Sequence, residues 1–503
     1  MLAQTVFQGP EVTWFALTPL LVLLGGGLAL LVVGALTPPW PRGGYALATA
    51  VIAGAAAVLA AFQWDDITDE GTRTLVGGAL AFDTFAQFIT ITICVGVILV
   101  ALVTDEELRR NDADGPEVYA LYLMAAIGGV VMGAANDMIV LFLGLETLSL
   151  ALYALAASDR RRSASQESGM KYFVLGSFSS AFFLYGIALL YGGTGSTNIS
   201  EIVSGFQGSV TVPREDALVL AGIALLLVGL GFKVAAVPFH VWTPDVYEGS
   251  PTPVTGYMAS VGKAAAFAAM VRVLVSALPF HRDDWRPVIW VLAVLSLIVG
   301  AVLAVVQTDV KRMLAYSSIN HVGFILVGVE AAGHQAGEQD PGPGVPSVAV
   351  YLLLYGVLVI GSFAVVTLVG RGHGGDTSLT AFRGLAARRP ALALCLTVFL
   401  LAQAGVPFTS GFIAKFGVIQ SAVEEHSYAI ALIAMVSAVI AAFLYLRIMV
   451  SVWLQPGEEG EPAERVPFPA GLAVTAAAVF TIVVGIVPGW LLDAADSVSQ
   501  FAR

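Results

Sequence analysis

The stretch ALVLAGIALLLVGLGFKVAAVPFHVW, residues 217–242, contains a single lysine, Lys233, and a single proline, Pro238. A helix needs roughly 20 apolar residues to cross a bilayer, so this run reads as a membrane span with a cation inside it. Proline lacks a backbone donor and clashes with the preceding turn, which predicts a kink or break at Pro238. A charge at the bilayer centre costs at least about 2.5–3.5 kcal/mol on insertion scales, and such residues mark ion or proton paths. This one run therefore predicts a helical membrane protein that moves charge.

The rest of the 503-residue sequence is built the same way. Hydrophobic residues make up 57% and charged residues 12%, with a mean hydropathy of +0.85, which excludes a soluble domain of this length. The 53 glycines suit helices that approach closely in lipid. Fourteen spans are predicted, near 14–36, 44–63, 82–103, 118–135, 138–157, 169–191, 217–242, 253–278, 287–307, 312–330, 347–369, 391–420, 427–453 and 468–491. The runs are continuous and do not alternate with period two, which excludes a closed barrel. The fold class is thus all-α and polytopic, with 1–503 as a single transmembrane domain. The start, MLAQTVFQGPEVTW, has no basic residue and reads as an uncleaved first helix.

The net charge of −12 sits mostly in loops such as DDITDE and GEEGEPAE, the second within an acidic loop at 455–464, and argues against nucleic acid as a partner. Cys94 and Cys395 fall in apolar runs and read as packed side chains, without metal spacing or a disulfide. The longest loops, roughly 192–216, 331–346 and 370–390, are too short to fold alone, so no cofactor-binding domain is expected in this chain. Fifteen of the 24 lysines and arginines, including Arg42, Arg160–Arg162, Lys171, Lys311 and Arg312, fall on one side of the predicted spans. Five fall on the other side and four within spans. That bias predicts both termini outside the cytoplasm.

Charged residues inside spans are the candidate site. Lys233, Lys263 and Lys415 lie in apolar runs, and Glu146 lies in LFLGLETLSLALYAL as the one acidic residue in mid-span. A lysine beside a movable carboxylate can hold or release a proton, so Glu146 is the natural partner of Lys233 or Lys263. A fixed ion pair is the structural alternative, though three lysines outnumber one glutamate. AAVPFHVW around Pro238 is echoed by AGVPFTSG around Pro407. These two spans lie five apart and cross in opposite directions, which predicts inverted five-helix repeats over spans 4–8 (118–278) and 9–13 (287–453) with broken spans 7 and 12. His240 and His321 can relay protons, or serve as a carbonyl cap and a packed polar group. Arg272, near a helix end, is expected to snorkel to the interface. Lys311 and Arg312 follow Asp309, a helix N-cap by type, and fit simple anchoring. Tyr316, Ser317 and Ser318 can order water or serve as helix–helix glue.

Three long motifs make the sequence recognisable. GFKVAAVPFHVWTPDVYEGSPTPVT (Gly231–Thr255), TDVKRMLAYSSINHVGF (308–324) and AGVPFTSGFIAKF (404–416) resemble, in order, those of the antiporter-like membrane subunits of NADH-quinone oxidoreductase, respiratory complex I. The wording PDVYEGSPTPVT is most similar to the N-type branch. The resemblance implies proton translocation by Glu146, Lys233, Lys263 and Lys415, with lysine at the last position as in N-type chains. It also implies a bacterial plasma-membrane location beside K- and M-like subunits, with NADH, FMN, iron–sulfur clusters and quinone bound by partner subunits. Subunits of multisubunit sodium/proton antiporters and membrane-bound hydrogenases share the lysine row and remain the alternative.

Overall fold

In a computed structural model of the chain, residues 12–110, 114–206, 216–338, 342–372, 375–457 and 465–502 are described. Among them, thirteen helices are long and apolar enough to cross a membrane. They are Trp14–Leu36, Gly44–Glu70, Thr84–Arg109, Glu117–Ala134, Met138–Ala156, Ser163–Thr194, Asp216–Val234, Thr252–Ala277, Pro279–Val305, Val310–His334, Gly344–Arg371, Tyr428–Leu454 and Phe468–Ile486. Two shorter helices, Pro390–Ala404 and Ser410–Glu424, together make the remaining crossing. They form span 12, which restores the fourteen spans read from the sequence. Most of the acidic 455–464 loop lies outside the described residues.

Several boundaries move, each for a local reason. The helix of span 7 stops at Val234, eight residues short of the predicted end. Val234 stands four residues before Pro238, where the proline ring would strike its carbonyl. Span 14 ends at Ile486, because Pro488 disfavours helix in the residue before it. The predicted loop at 192–216 contains a short helix, Ile199–Phe206. Among the described residues the helices are joined by one small antiparallel ribbon, Arg73–Leu75 with Leu80–Phe82, and a few isolated β-bridges. The ribbon's turn contains Gly77 and Gly78, both at positive φ.

Both breaks are sharp. Ala235 takes φ +64° after span 7, while Gly405 takes +90° and Phe408 +66° between the halves of span 12. A left-handed non-glycine residue costs of order 1–3 kcal/mol and persists only where its surroundings impose it. Freed backbone groups near Pro238 find side chains. Val237 N donates to Ser296 Oγ at 2.9 Å, and Phe232 O accepts from Trp242 Nε1 at 3.1 Å. The chain then resumes as a short helix, Thr243–Gly249.

The layers sort by polarity. Spans 8 and 11 are buried along their whole apolar window and span 10 along 94%, whereas span 1 is only 22% buried. The most enclosed helices carry Lys263, Ser318, His321 and Tyr355, so the polar centre lies inside the bundle and apolar side chains line its outside. Span 8 has π-helical turns at Met258–Gly262 and Arg272–Ala277, on either side of the α-helical Lys263–Val271. Such turns occur often at functional sites, because they re-aim the side chains that follow.

Candidate functional site: a buried row of lysines

Span 5 presents Glu146, Ser149 and Tyr153 on one stripe, at i, i+3 and i+7. Lys233, in the last turn of span 7, points at that stripe and is 8% exposed. Its Nζ donates to Ser149 Oγ at 2.6 Å and to Tyr153 Oη at 3.4 Å. Glu146 stands one turn before Ser149 on the stripe that Lys233 faces. No ion pair within 4 Å joins Glu146 to Lys233 among the described residues, and Glu146 Oε1 is buried without a hydrogen-bond partner. The expected contact pair is therefore a carboxylate held near a lysine whose direct ligands are hydroxyls.

The next lysine opens onto span 10. Lys263 Nζ donates to Ser318 O at 2.9 Å and to Ser318 Oγ. That hydroxyl also accepts from Tyr355 Oη at 2.7 Å. One turn on, His321 Nδ1 meets Tyr351 Oη at 2.6 Å, and its Nε2 meets Tyr445 Oη at 3.3 Å. Tyr445 leads to Ser317 at 2.6 Å, and Ser317 to Gln403 at 3.4 Å. His321 lies three residues after Ser318, which holds Lys263, and three before Phe324, over which Lys415 stands. Lys415, in the second half of span 12, reaches back across the break to Ala404 O at 3.2 Å. Its Nζ lies 4.6 Å from the centre of the Phe324 ring. Lys263, His321 and Lys415 thus share one neighbourhood, while Lys233 and Glu146 form a second.

Other candidates fare differently. His240 lies past the break, half-buried, with Nδ1 unpartnered and no contact to the lysines among the described contacts. Pro238 is exposed, so its part in the site is to end the helix. Arg272 does not snorkel. It is 1% exposed and forms a two-pronged pair with Asp83, at 2.7 and 2.6 Å, while its Nε donates to Gly133 O. Lys311 is buried and donates to Ser250 O at 2.6 Å, beyond what an interfacial anchor requires. Asp309 caps its helix as predicted, accepting from Arg312 N at 3.0 Å. Glu146 is partly buried, and the more enclosed acids Asp83 and Glu330 lie near span ends and not in mid-span.

On the arginine-rich side, a cavity of about 390 Å3 is lined by Arg162, Lys171, Asp245, Glu248 and Asp309. Asp245 there accepts from Lys171 and Arg312, both at 2.9 Å. Burial alone would push its carboxyl up, but those two bonds outweigh it and hold Asp245 below the usual carboxylate range.

Comparison with known proteins agrees with this geometry. The family described as NADH:quinone oxidoreductase/Mrp antiporter, TM matches residues 135–441. The chain is 40% identical to NADH-quinone oxidoreductase subunit N 3 of Streptomyces griseus, over 99% of this chain and 96% of that one. The chain belongs to the NADH-quinone oxidoreductase subunit N family. A chain of respiratory complex I from Thermus thermophilus superposes with a TM-score of 0.77 at 32% identity, covering 95% of this chain and 100% of that one. A chain of the Mrp complex from a Dietzia species shares the fold at 20% identity, with a TM-score of 0.81 and 97% coverage of each.

For a subunit N relative, the sequence reading missed several polar partners. Tyr351, Tyr355, Gln403 and Tyr445 surround His321 and Ser317, yet nothing in the apolar runs that hold them marks them as partners. Ser317 and Ser318 carried a usable signal, since each shares a helical stripe with His321 at i+4 or i+3.

Proposed function

We propose that this chain is a proton-translocating subunit in the membrane arm of a proton-pumping NADH:quinone oxidoreductase. Protons pass along Lys233, Lys263, His321 and Lys415, and Glu146 governs the first of these by moving toward or away from Lys233. One observation carries the reading: each buried ammonium ends on uncharged oxygens, of Ser149 and Tyr153, of Ser318, and of Ala404. A lysine locked to a carboxylate keeps its proton. One without a carboxylate can give it up, and the hydroxyls at Lys233 and Lys263 both donate and accept, so they can pass it on.

The energies are of the right size. A carboxylate brought to about 4 Å from an ammonium gains about 4 kcal/mol at an effective dielectric near 20. Moving one charge against about 100 mV costs about 2.3 kcal/mol. Displacement of Glu146 is therefore sufficient to drive one step.

In this reading the arginine-rich side faces the cytoplasm of a bacterial plasma membrane and both termini face outward. K- and M-like membrane subunits are its neighbours, and NADH, FMN, iron–sulfur clusters and quinone bind on partner subunits. Spans 4–8 and 9–13 act as inverted repeats, supported by the paired breaks near Pro238 and Pro407. Lys263→Ala tests the proposal in the whole complex reconstituted in vesicles. The expected result is an assembled complex whose protons pumped per NADH fall by about tenfold or more, the effect of about 1.4 kcal/mol at one step. Parental pumping would overturn it.

A further inference from the structure

The end of span 10 opposite the arginine-rich loops carries a titratable cluster that the lysine row does not use. Glu330 is 3% exposed although it lies about one turn from the helix end. Its Oε1 lies 3.1 Å from His334 Nε2, accepts from Ser427 Oγ at 3.3 Å, and has Arg286 Nε at 3.8 Å. Its Oε2 is buried with no hydrogen-bond partner. His334 Nδ1 in turn faces Glu425 Oε2 at 3.9 Å. The Glu330 side chain is 4% exposed, Glu425 13% and His334 23%, so His334 is the member most open to solvent.

Two helices connect this cluster to the centre. Span 10 and the second half of span 12 stay in contact: Lys415 stands over Phe324, and one turn on a Cβ at Gly328 would come within 3.0 Å of Val418. Glu425 follows directly on that half-helix. From His321 to Glu330 is nine residues, or about 13.5 Å at the α-helical rise. The side chains between, such as Phe324 and Val327 with Val418 opposite, are apolar and buried. Ser347 Oγ lies 3.4 Å from the Cβ position of Gly328, so a titratable group stands at each end of a mostly apolar stretch that holds one hydroxyl.

We propose that Glu330, with His334 and Glu425, is a proton-release station that receives protons from the Lys415–His321 centre and passes them to the side opposite the arginine-rich loops. This rests on the proton-translocation reading. A proton leaving Lys415 Nζ crosses the apolar stretch on water and binds the free Oε2 of ionised Glu330. The neutral carboxyl turns that O–H to His334 Nε2, gives the proton up and is a carboxylate again. The imidazolium then loses its Nδ1 proton to water or to Glu425, and a turn of the ring restores the starting tautomer. The facing charges are Arg286 and Arg282 from span 9, Glu425 from span 12, and Glu338 just beyond span 10. Arg282 is engaged by Glu338 at 3.0 Å and by two carbonyls.

The test uses the whole complex in vesicles that pump into the lumen, with the lumen buffered at values between about pH 5 and 8, the range in which histidine side chains commonly change charge. The parent should pump more slowly as the lumen is acidified. Glu330→Gln and His334→Gln should each pump several-fold more slowly and lose that dependence on lumen pH, while Glu330→Asp retains it. Lys415→Ala should fail at every lumen pH. A parental rate and profile in both Gln variants beside a failed Lys415→Ala overturns the station and leaves the translocation reading standing. If Lys415→Ala is also parental, both fall. Should Glu330→Gln not assemble, His334→Gln, at the more exposed position, decides alone.

Discussion

Lys233 and Lys415 meet a helix break from opposite sides. Lys233 belongs to the last turn of the helix before its break, whereas Lys415 lies beyond its break and reaches back to Ala404, the last residue of the preceding half-helix. Both ammoniums therefore sit at the C-terminal end of a half-helix, where exposed carbonyls carry roughly half a negative charge. Their other neighbours differ. Lys233 has two hydroxyls and the nearby Glu146, while Lys415 has a carbonyl and the face of Phe324. The shared part gives a cation a place to rest in the membrane, and the unshared part decides whether another charge can dislodge it. The first half is built to be switched by a carboxylate, and the second passes its proton on without one beside the lysine.

The two halves are also fastened differently, and here the largest effect is expected. Span 8 ends at the fully buried Arg272–Asp83 pair, and Asp83 also accepts from Ala502 N at 2.9 Å. Span 13 is tied by a half-buried Arg447 that donates to the carbonyls of Val305 and Gln307 at 2.8 and 2.7 Å. Removing one member of a buried pair leaves an uncompensated charge and costs about 3–5 kcal/mol. Carbonyls near the interface recover water, so losing their donor costs about 1–3 kcal/mol. Arg272→Met should lower the temperature at which the subunit is lost from the complex well below that for Arg447→Met. Equal losses would mean that the first half is not pinned through Asp83.

A second contrast concerns proton release at Lys415. Arginine keeps the charge but does not give up its proton, since its pKa stays above about 12. Lys415→Arg should therefore leave the complex assembled and cut pumping about tenfold or more, as badly as Lys415→Ala. An active Arg variant beside an inactive Ala variant would make Lys415 a fixed charge. For the switched half, Glu146→Gln keeps volume and hydrogen bonding but holds no charge. Protons pumped per NADH should fall about fivefold, about 1 kcal/mol, with Glu146→Asp milder. Parental coupling in Glu146→Gln would erase the distinction between the halves.

What the sequence disclosed follows from the solvent. Lipid leaves no polar partner for a bare backbone, so the spans announce themselves as apolar runs, and a lysine or proline inside one stands out. Those rules found the fourteen crossings, both breaks and the three buried lysines. They could not find what the lysines touch, because Ser149 or Tyr355 in an apolar run looks the same whether it glues helices or solvates a cation. Arg272 was misplaced at the interface because its partner Asp83 lies 189 residues away, and nothing local marks the pairing. Glu330 went unnoticed because it falls on the last residue of a predicted span, where a charge passes for interface. The unmatched carboxylate contact at Lys233 has the same origin: residue types suggest who can pair, and only packing sets the distance.

The smallest expected effect separates the two hydroxyls at Lys233. Ser149 Oγ accepts from Lys233 at 2.6 Å and itself donates to Leu145 O, so its lone pair is aimed at the ammonium. Tyr153 Oη stands at 3.4 Å, beyond the usual range of about 2.7–3.2 Å for such a bond. Its ring centre lies 5.6 Å from the ammonium, close enough for a cation–π contact that phenylalanine would keep. Ser149→Ala removes a bond worth about 0.5–1.5 kcal/mol, which lowers coupled pumping by about two- to tenfold. Tyr153→Phe loses only the weaker contact and should stay within about twofold of the parent. Proton-uptake measurements on both variants in one preparation rank them. The reverse order would place the proton-passing oxygen on Tyr153, one helical turn farther along span 5 from Glu146, and would weaken the case that this carboxylate switches the first half.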